Sequence, residues 1–314
     1  MAFWSKKKEI ENVIPNSPVI PSESRDRLQS ATVTPIENQQ KKSQENTLGR
    51  VKHILAVAAG KGGVGKSTVS VNLASALQSK GFKVGILDAD IHGPSVPIML
   101  SVENPTEMRD ELIIPPLSNG IKVISPAMFS SQIAHIMRGP MAGNFIRQLL
   151  MQADWGELDF LIIDYPPGTG DIQLTLSQVC NITAAIIVST PQDVALADVR
   201  KASNMFETMK VPVLGVIETM SWFACDQCEK KHFIFKKDGA KTFAQHIGSP
   251  LLAQIPLDPR ITECGDSGQS IVSKYPDSAP AKAFFEATDS VLHELTHLRR
   301  VSQEGLLSFS LKWQ

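Results

Sequence analysis

The run Gly60-Lys61-Gly62-Gly63-Val64-Gly65-Lys66-Ser67-Thr68 contains the residue types needed to grip a polyphosphate. Glycines let backbone N–H groups close around phosphate oxygens, and a helix opening near Lys66 adds the positive end of its dipole. At this spacing the Lys66 ammonium holds the β- and γ-phosphates, and the Ser67 hydroxyl holds Mg2+. A second acidic position fits the same chemistry. Asp164 ends the apolar run Phe160-Leu161-Ile162-Ile163, where a carboxylate reaches Mg2+ through a water. Asp88-Ala89-Asp90 ends another apolar run, and either carboxylate can position an attacking water. The loop Pro166-Pro167-Gly168-Thr169-Gly170-Asp171, rigid and then flexible, suits the sensing of a γ-phosphate. Lys61 stands inside the glycine loop, where phosphate binding alone does not require a second cation.

Two further patterns carry metal-binding residue types. Cys225-Asp226-Gln227-Cys228 places two thiols on one face of a turn, between Trp222-Phe223 and Phe233-Ile234-Phe235. A closed zinc site or a [4Fe–4S] cluster needs four ligands, and one chain supplies two here. On spacing alone the pair reads equally as a redox couple, a metal site or an accident. A two-fold dimer joining two such pairs would supply four thiolates. His293-Glu294-Leu295-Thr296-His297 matches the H-E-x-x-H helix that binds zinc in hydrolases. Phe284, Thr288, Val291, Leu295 and Leu298, however, form one stripe of that helix, which turns both histidines toward solvent. Cys180 reads as a small buried apolar residue, and Cys264 as structural.

The elements that must position these groups follow from hydrophobic patterning. Unbroken apolar runs at 54–59, 84–87, 121–124, 160–163, 184–188 and 213–217 alternate with helical patterns, one of them over 69–80. Such runs are what strands buried on both faces show, so the fold class expected is α/β: a doubly wound, mostly parallel sheet of the P-loop NTPase kind, a Rossmann-like three-layer sandwich. Ligands bind such sheets at the carboxyl ends of the strands, and Gly60, Asp88, Asp164 and Glu218 each follow a run. Residues 1–50 are polar and aperiodic and read as a disordered tail, in which Phe3 and Trp4 beside three lysines carry little signal. The domain expected spans 51–300, and 301–314 reads as a C-terminal tail with an apolar end. A net charge of −1 gives no reason to expect nucleic acid. No apolar run approaches the length of a membrane span, and four cysteines do not make a disulfide scaffold, so a cytoplasmic protein is expected.

With Lys61 included, the loop resembles the deviant Walker A group that contains MinD, ParA and the Mrp/ApbC proteins. The runs D-A-D-I-H-G-P-S from Asp88, D-Y-P-P-G-T-G-D from Asp164, T-P-Q-D-V-A-L-A-D-V-R-K from Thr190 and P-L-D-P-R-I from Pro256 narrow this to the Mrp/ApbC family of iron–sulfur carrier ATPases, over about residues 51–272. That resemblance implies ATP as the nucleotide and a homodimer in which Lys61 reaches the partner's phosphates. It also implies Asp90 as the hydrolytic carboxylate, Gly168 on the γ-phosphate and nucleotide contacts around Pro256 and Asp258. A [4Fe–4S] cluster would bridge two subunits through Cys225 and Cys228, for delivery to apo iron–sulfur proteins. The chain departs from the family pattern at Thr219, where relatives usually carry an asparagine that reads adenine, and at Asp226, where they often carry proline. The accessory N-terminal domain of many bacterial relatives is replaced by the polar tail. The alternative is a MinD- or ParA-like positioning ATPase. It would require a basic DNA-facing patch or a basic amphipathic C-terminal helix, and residues 306–313 have too little positive charge for stable membrane association.

Overall fold

The computed structural model describes residues 47–102, 107–129, 140–168, 170–225 and 227–310. The polar tail up to residue 46, Thr169, Asp226 and residues 311–314 lie outside the described residues. The chain enters through a short 3-10 helix, Thr47–Arg50, whose Leu48 is buried against the core, so ordered packing begins before residue 51.

Among the described residues twelve strands follow in chain order. They are β1 (Val51–Ala59), β2 (Val84–Asp88), β3 (Glu107–Arg109), β4 (Leu112–Ile114), β5 (Leu117–Ser118), β6 (Ile121–Ile124), β7 (Leu158–Asp164), β8 (Ala184–Ser189), β9 (Val213–Glu218), β10 (Phe223–Ala224), β11 (Lys231–His232) and β12 (Leu251–Gln254). Eight of them form one sheet in the order β12-β9-β8-β1-β7-β2-β6-β5, and every pairing is parallel except β5 with β6. The six strands expected from apolar runs are the six contiguous central ones. The edge strands were not expected: β5 has only two residues, and β12 is a four-residue strand, LLAQ, set between prolines.

β1 illustrates why the central runs are unbroken. Leu55, Val57 and Ala59 join one hydrophobic cluster, while Ile54, Ala56 and Ala58 join the cluster on the opposite face. With a period of two, a strand covered on both sides has no position left for a polar side chain. On the first face lie α1 (Lys66–Ser79) and the long C-terminal helix α9 (Ala279–Ser310); the opposite cluster draws on α3 (Pro140–Gln152) and α4 (Asp171–Val179). Helices α2 (Val96–Met99), α5 (Asp193–Thr208), α6 (Gly239–His246), α7 (Pro259–Asp266) and α8 (Ile271–Lys274) complete the set. Phe284, Thr288, Val291 and Leu295 of α9 are buried, while His293 and His297 are exposed, as the helical stripe requires. α9 does not end near residue 300 but continues to Ser310, so the segment read as a tail is helical in its first ten residues. Among the described residues no helix is long and apolar enough to cross a membrane.

Candidate nucleotide site and cysteine hairpin

α1 starts at Lys66 because Gly63 (φ +76°) and Gly65 (φ +83°) adopt left-handed backbone that other residues rarely take. This geometry turns the chain from β1 directly into the helix and leaves the loop's N–H groups at the helix's positive end. The loop opens on a cleft of about 500 Å3 lined by Lys61, Gly62, Gly63, Gly65, Lys66, Ser67 and Thr68. Asp90, Gly93, Ser95 and Pro167 contribute from neighbouring strand ends, and Ile261, Thr262, Gly265 and Asp266 from α7.

At the foot of the cleft Lys66 Nζ lies 2.8 Å from Asp164 Oδ1. Ser67 Oγ donates to Asp164 Oδ2 at 2.6 Å, and Ser70 Oγ donates to Asp164 Oδ1 at 2.7 Å. Lys66 and Asp164 are both buried, so this pair is set in a low-dielectric site. A hydroxyl beside a carboxylate oxygen is a hard-oxygen donor set that fits Mg2+. Ser67 and Asp164 are the residues that would hold it, and Mg2+ there neutralises phosphate charge.

Asp88 and Asp164 are cross-strand partners at the ends of β2 and β7, which brings two carboxylates together in the core. Burial, and then the negative charge of Asp164, push the Asp88 carboxyl up to about 7. Asp88 accepts from Asp90 N at 3.1 Å, Ser125 Oγ at 3.2 Å and Val96 N at 3.3 Å. It is fully buried, while the half-buried Asp90 lines the cleft, and Asp90 Oδ1 accepts from His92 N and Gly93 N. The two acids are thereby separated: Asp88 braces the loop and Asp90 faces the ligand space.

Four expected nucleotide contacts outside the glycine loop do not themselves line the cleft. Gly168 (φ +87°) donates its N–H to Ala59 O at 3.3 Å, and its carbonyl accepts from Gln173 Nε2 at 3.2 Å. Pro256 is buried. Asp258 caps α7 by accepting from Arg260 N at 2.9 Å and pairs with the Arg260 guanidinium, which holds its carboxyl below the usual range. Thr219, expected at the base-reading position, is buried behind the phosphate loop, with its hydroxyl 2.6 Å from Val64 O. Gly60 and Val64 shape the loop without lining the cleft, Val64 being buried beneath it. Sequence reasoning missed Ser70, Ser125 and Gln173. Only Ser70 left a signal: it stands one helical turn after Lys66 and therefore on the same face.

Cys225 and Cys228 sit at the turn of the β10–β11 hairpin, where Cys225 N donates to Lys230 O at 3.0 Å and Glu229 N to Cys225 O at 2.8 Å. Cys225 is half-buried and Cys228 exposed. Beyond them Phe233, Ile234 and Phe235 are 39%, 58% and 42% exposed, an unusual run of accessible large apolar side chains. The Lys231 ammonium lies 4.1 Å from the centre of the Trp222 ring, holding the hairpin over its own root. Cys180 and Cys264 are buried in the core, and burial pushes the Cys180 thiol up to about 12. His293 and His297 project from the outer face of α9, with His293 Nδ1 3.1 Å from Glu294 Oε1.

A parallel sheet with a glycine loop after its central strand, a helix opening on Lys66-Ser67 and a carboxylate ending the adjacent strand defines a P-loop NTPase. Residues 50–292 match the family described as NUBPL iron-transfer P-loop NTPase, and the chain belongs to that family. It is 49% identical over 238 residues to the iron-sulfur cluster carrier protein of Aquifex aeolicus, covering 74% of this chain and 65% of that protein. It is 44% identical over 249 residues to the mouse iron-sulfur cluster transfer protein NUBPL, covering 78% of each. A nucleotide-binding protein of Archaeoglobus fulgidus, solved with ADP, superposes with a TM-score of 0.67 at 37% identity, covering 77% of this chain and 97% of that one.

Proposed function

We propose that this protein binds and hydrolyses ATP with Mg2+, and that two copies carry a labile [4Fe–4S] cluster as cargo between their paired Cys225 and Cys228 for delivery to apo iron–sulfur proteins. The observation that carries the reading is the exposed cysteine hairpin on the same chain as a complete phosphate site: two thiols at an accessible turn, flanked by Phe233, Ile234 and Phe235. Two thiols are half the ligand set of such a cluster, and the apolar run beside them suits contact with a second copy. The names of the Aquifex and mouse relatives point the same way.

In this reading Lys66 exchanges Asp164 for the β- and γ-phosphates, because a doubly charged phosphate outcompetes a carboxylate that must also serve Ser67 and Ser70. Asp90 orients the attacking water, and its Oδ1, already held by His92 N and Gly93 N, is fixed for that task. Lys61, half-buried at the cleft wall, reaches the phosphates of the facing copy. We place this work in a reducing compartment such as the cytoplasm, where accessible thiols persist.

Anaerobic reconstitution with iron and sulfide tests the proposal. The expected result is about four irons per dimer and a shift from monomer to dimer. Cys225→Ser or Cys228→Ser should lose the cluster, and Cys180→Ser and Cys264→Ser should keep it. A cluster or zinc ion at full occupancy in a monomer, or one that survives Cys225→Ser, would overturn the reading.

A further inference from the structure

The segment 219–240, which carries the cysteine hairpin, leaves and rejoins the domain at one point. Glu218, the last residue of β9, is fully buried, and its Oε2 accepts from Ala240 N at 2.7 Å while Oε1 accepts from Gln254 Nε2 at 2.8 Å. The returning limb is thereby pinned to the strand end from which the outgoing limb departs. The next residue, Thr219, binds the other way. Its N–H donates to Ser189 O at 2.8 Å, and its hydroxyl lies 2.6 Å from Val64 O and 3.1 Å from Ser189 O. The single hydroxyl hydrogen serves the shorter contact, to the phosphate loop.

Val64 is flanked by the left-handed Gly63 and Gly65, so the direction of its carbonyl is set by how the loop is wound. A Cβ placed on Gly65 would stand 3.6 Å from Thr219 Cγ2, so the threonine also packs directly beneath the loop. After Thr219 the chain kinks through Met220, a non-glycine residue at φ +53°, and is then tied down twice more. Ser221 N donates to Ile255 O at 3.0 Å, and Trp222 O accepts from Leu257 N at 2.8 Å. Leu257 leads into α7, which lines the opposite wall of the cleft, and Trp222 lies under Lys231 of the hairpin. The root of the hairpin therefore touches both walls of the nucleotide cleft, and Cys225 is only six residues beyond the hydroxyl that holds the loop.

We propose that Thr219 is a positioning residue through which the winding of the phosphate loop sets the conformation of the cysteine hairpin. When Lys66 and Ser67 leave Asp164 for a bound nucleotide, the loop between Gly63 and Gly65 rewinds around phosphate. The Val64 carbonyl turns with it, and the change passes through Thr219 to the Met220 kink and the outgoing limb. Glu218 holds the returning limb, and Ser221 and Trp222 tie the outgoing limb to Ile255 and Leu257, so the change at Thr219 reaches Cys225 and Cys228 by shifting those ties. Its purpose rests on the cluster-carrying role proposed above, but the device itself does not require a cluster.

The test uses the full-length protein without cluster, so its outcome is independent of the iron count that tests the carrier role. Alkylation of Cys225 and Cys228 by iodoacetamide is followed by mass spectrometry, with and without saturating Mg2+ and ATPγS, saturation being verified for each variant by titration. Wild type should change its labelling rate on nucleotide binding by about fivefold or more, the lower range of ordinary coupling between two sites. Thr219→Val keeps the shape and loses the donor, and its ratio should fall to near one. Thr219→Ser should restore it. A Thr219→Val protein with the wild-type ratio, a Thr219→Ser protein without it, or a wild type with no nucleotide response would each overturn the proposal. Should Thr219→Val fail to fold, hydrogen exchange of the wild type decides: unchanged protection over 219–225 on nucleotide binding overturns the proposal, and altered protection supports it.

Discussion

Asp88→Asn in the nucleotide-free protein isolates the electrostatics of the phosphate site. Asp88 sits at about 7 against an ordinary value of 3.8, with burial the larger cause and Asp164 the second. A carboxyl raised by folding binds its proton more tightly in the native state than in the unfolded one. The stabilisation this gives is complete below the unfolded value, declines as pH rises from about 4, and is gone once pH passes about 7. At about 1.4 kcal/mol per pH unit, the whole span amounts to about 4 kcal/mol, and the part between pH 5.5 and 8 to about 2 kcal/mol. The asparagine variant has no proton to lose and should lack this slope. The substitution also turns one acceptor into a donor facing either Asp90 N or both Ser125 Oγ and Val96 N, a penalty of about 1–2 kcal/mol that sets an offset between the two curves rather than their slope. Urea melts of both proteins at half-unit pH intervals should show the variant gaining on wild type by about 2 kcal/mol between pH 5.5 and 8. Parallel stability curves over that range would refute the claim that burial beside Asp164 raises Asp88.

Lys66→Ala should abolish detectable ATP binding and turnover, whereas Asp90→Ala should keep nucleotide affinity and lose about 100-fold or more in kcat, the usual contribution of general-base catalysis. Equal affinity in wild type and Lys66→Ala, by titration with a fluorescent nucleotide, would remove the phosphate-loop assignment. Gly239→Ala would place a Cβ 2.0 Å from the Pro191 carbonyl oxygen, a backbone atom with little freedom to yield. The expected loss is about 1–3 kcal/mol, and calorimetry should show the melting temperature several degrees lower; an unchanged value would mean that α6 can shift away freely.

The apolar runs by themselves determined the parallel core, because a strand buried on both faces must be apolar at every position, and β1 divides its side chains between two hydrophobic clusters accordingly. Glycine spacing likewise announced the loop, since the left-handed turns at Gly63 and Gly65 can be made cheaply by no other residue. The helical stripe of α9 was equally legible and directed His293 and His297 outward. These are local rules, written in neighbouring residues. The short edge strand β12 gave no such signal, and the helical continuation to Ser310 was concealed by a composition that reads as a tail. Pairings across long separations belonged to the tertiary structure alone. Asp88 became a buried carboxyl with a high proton affinity only because β2 and β7 lie in register and set it opposite Asp164. Thr219 turned its hydroxyl to Val64, 155 residues away in the chain. No periodicity or composition encodes a side chain's partner at that distance, because the partner is selected by which strands are adjacent and how their ends are packed.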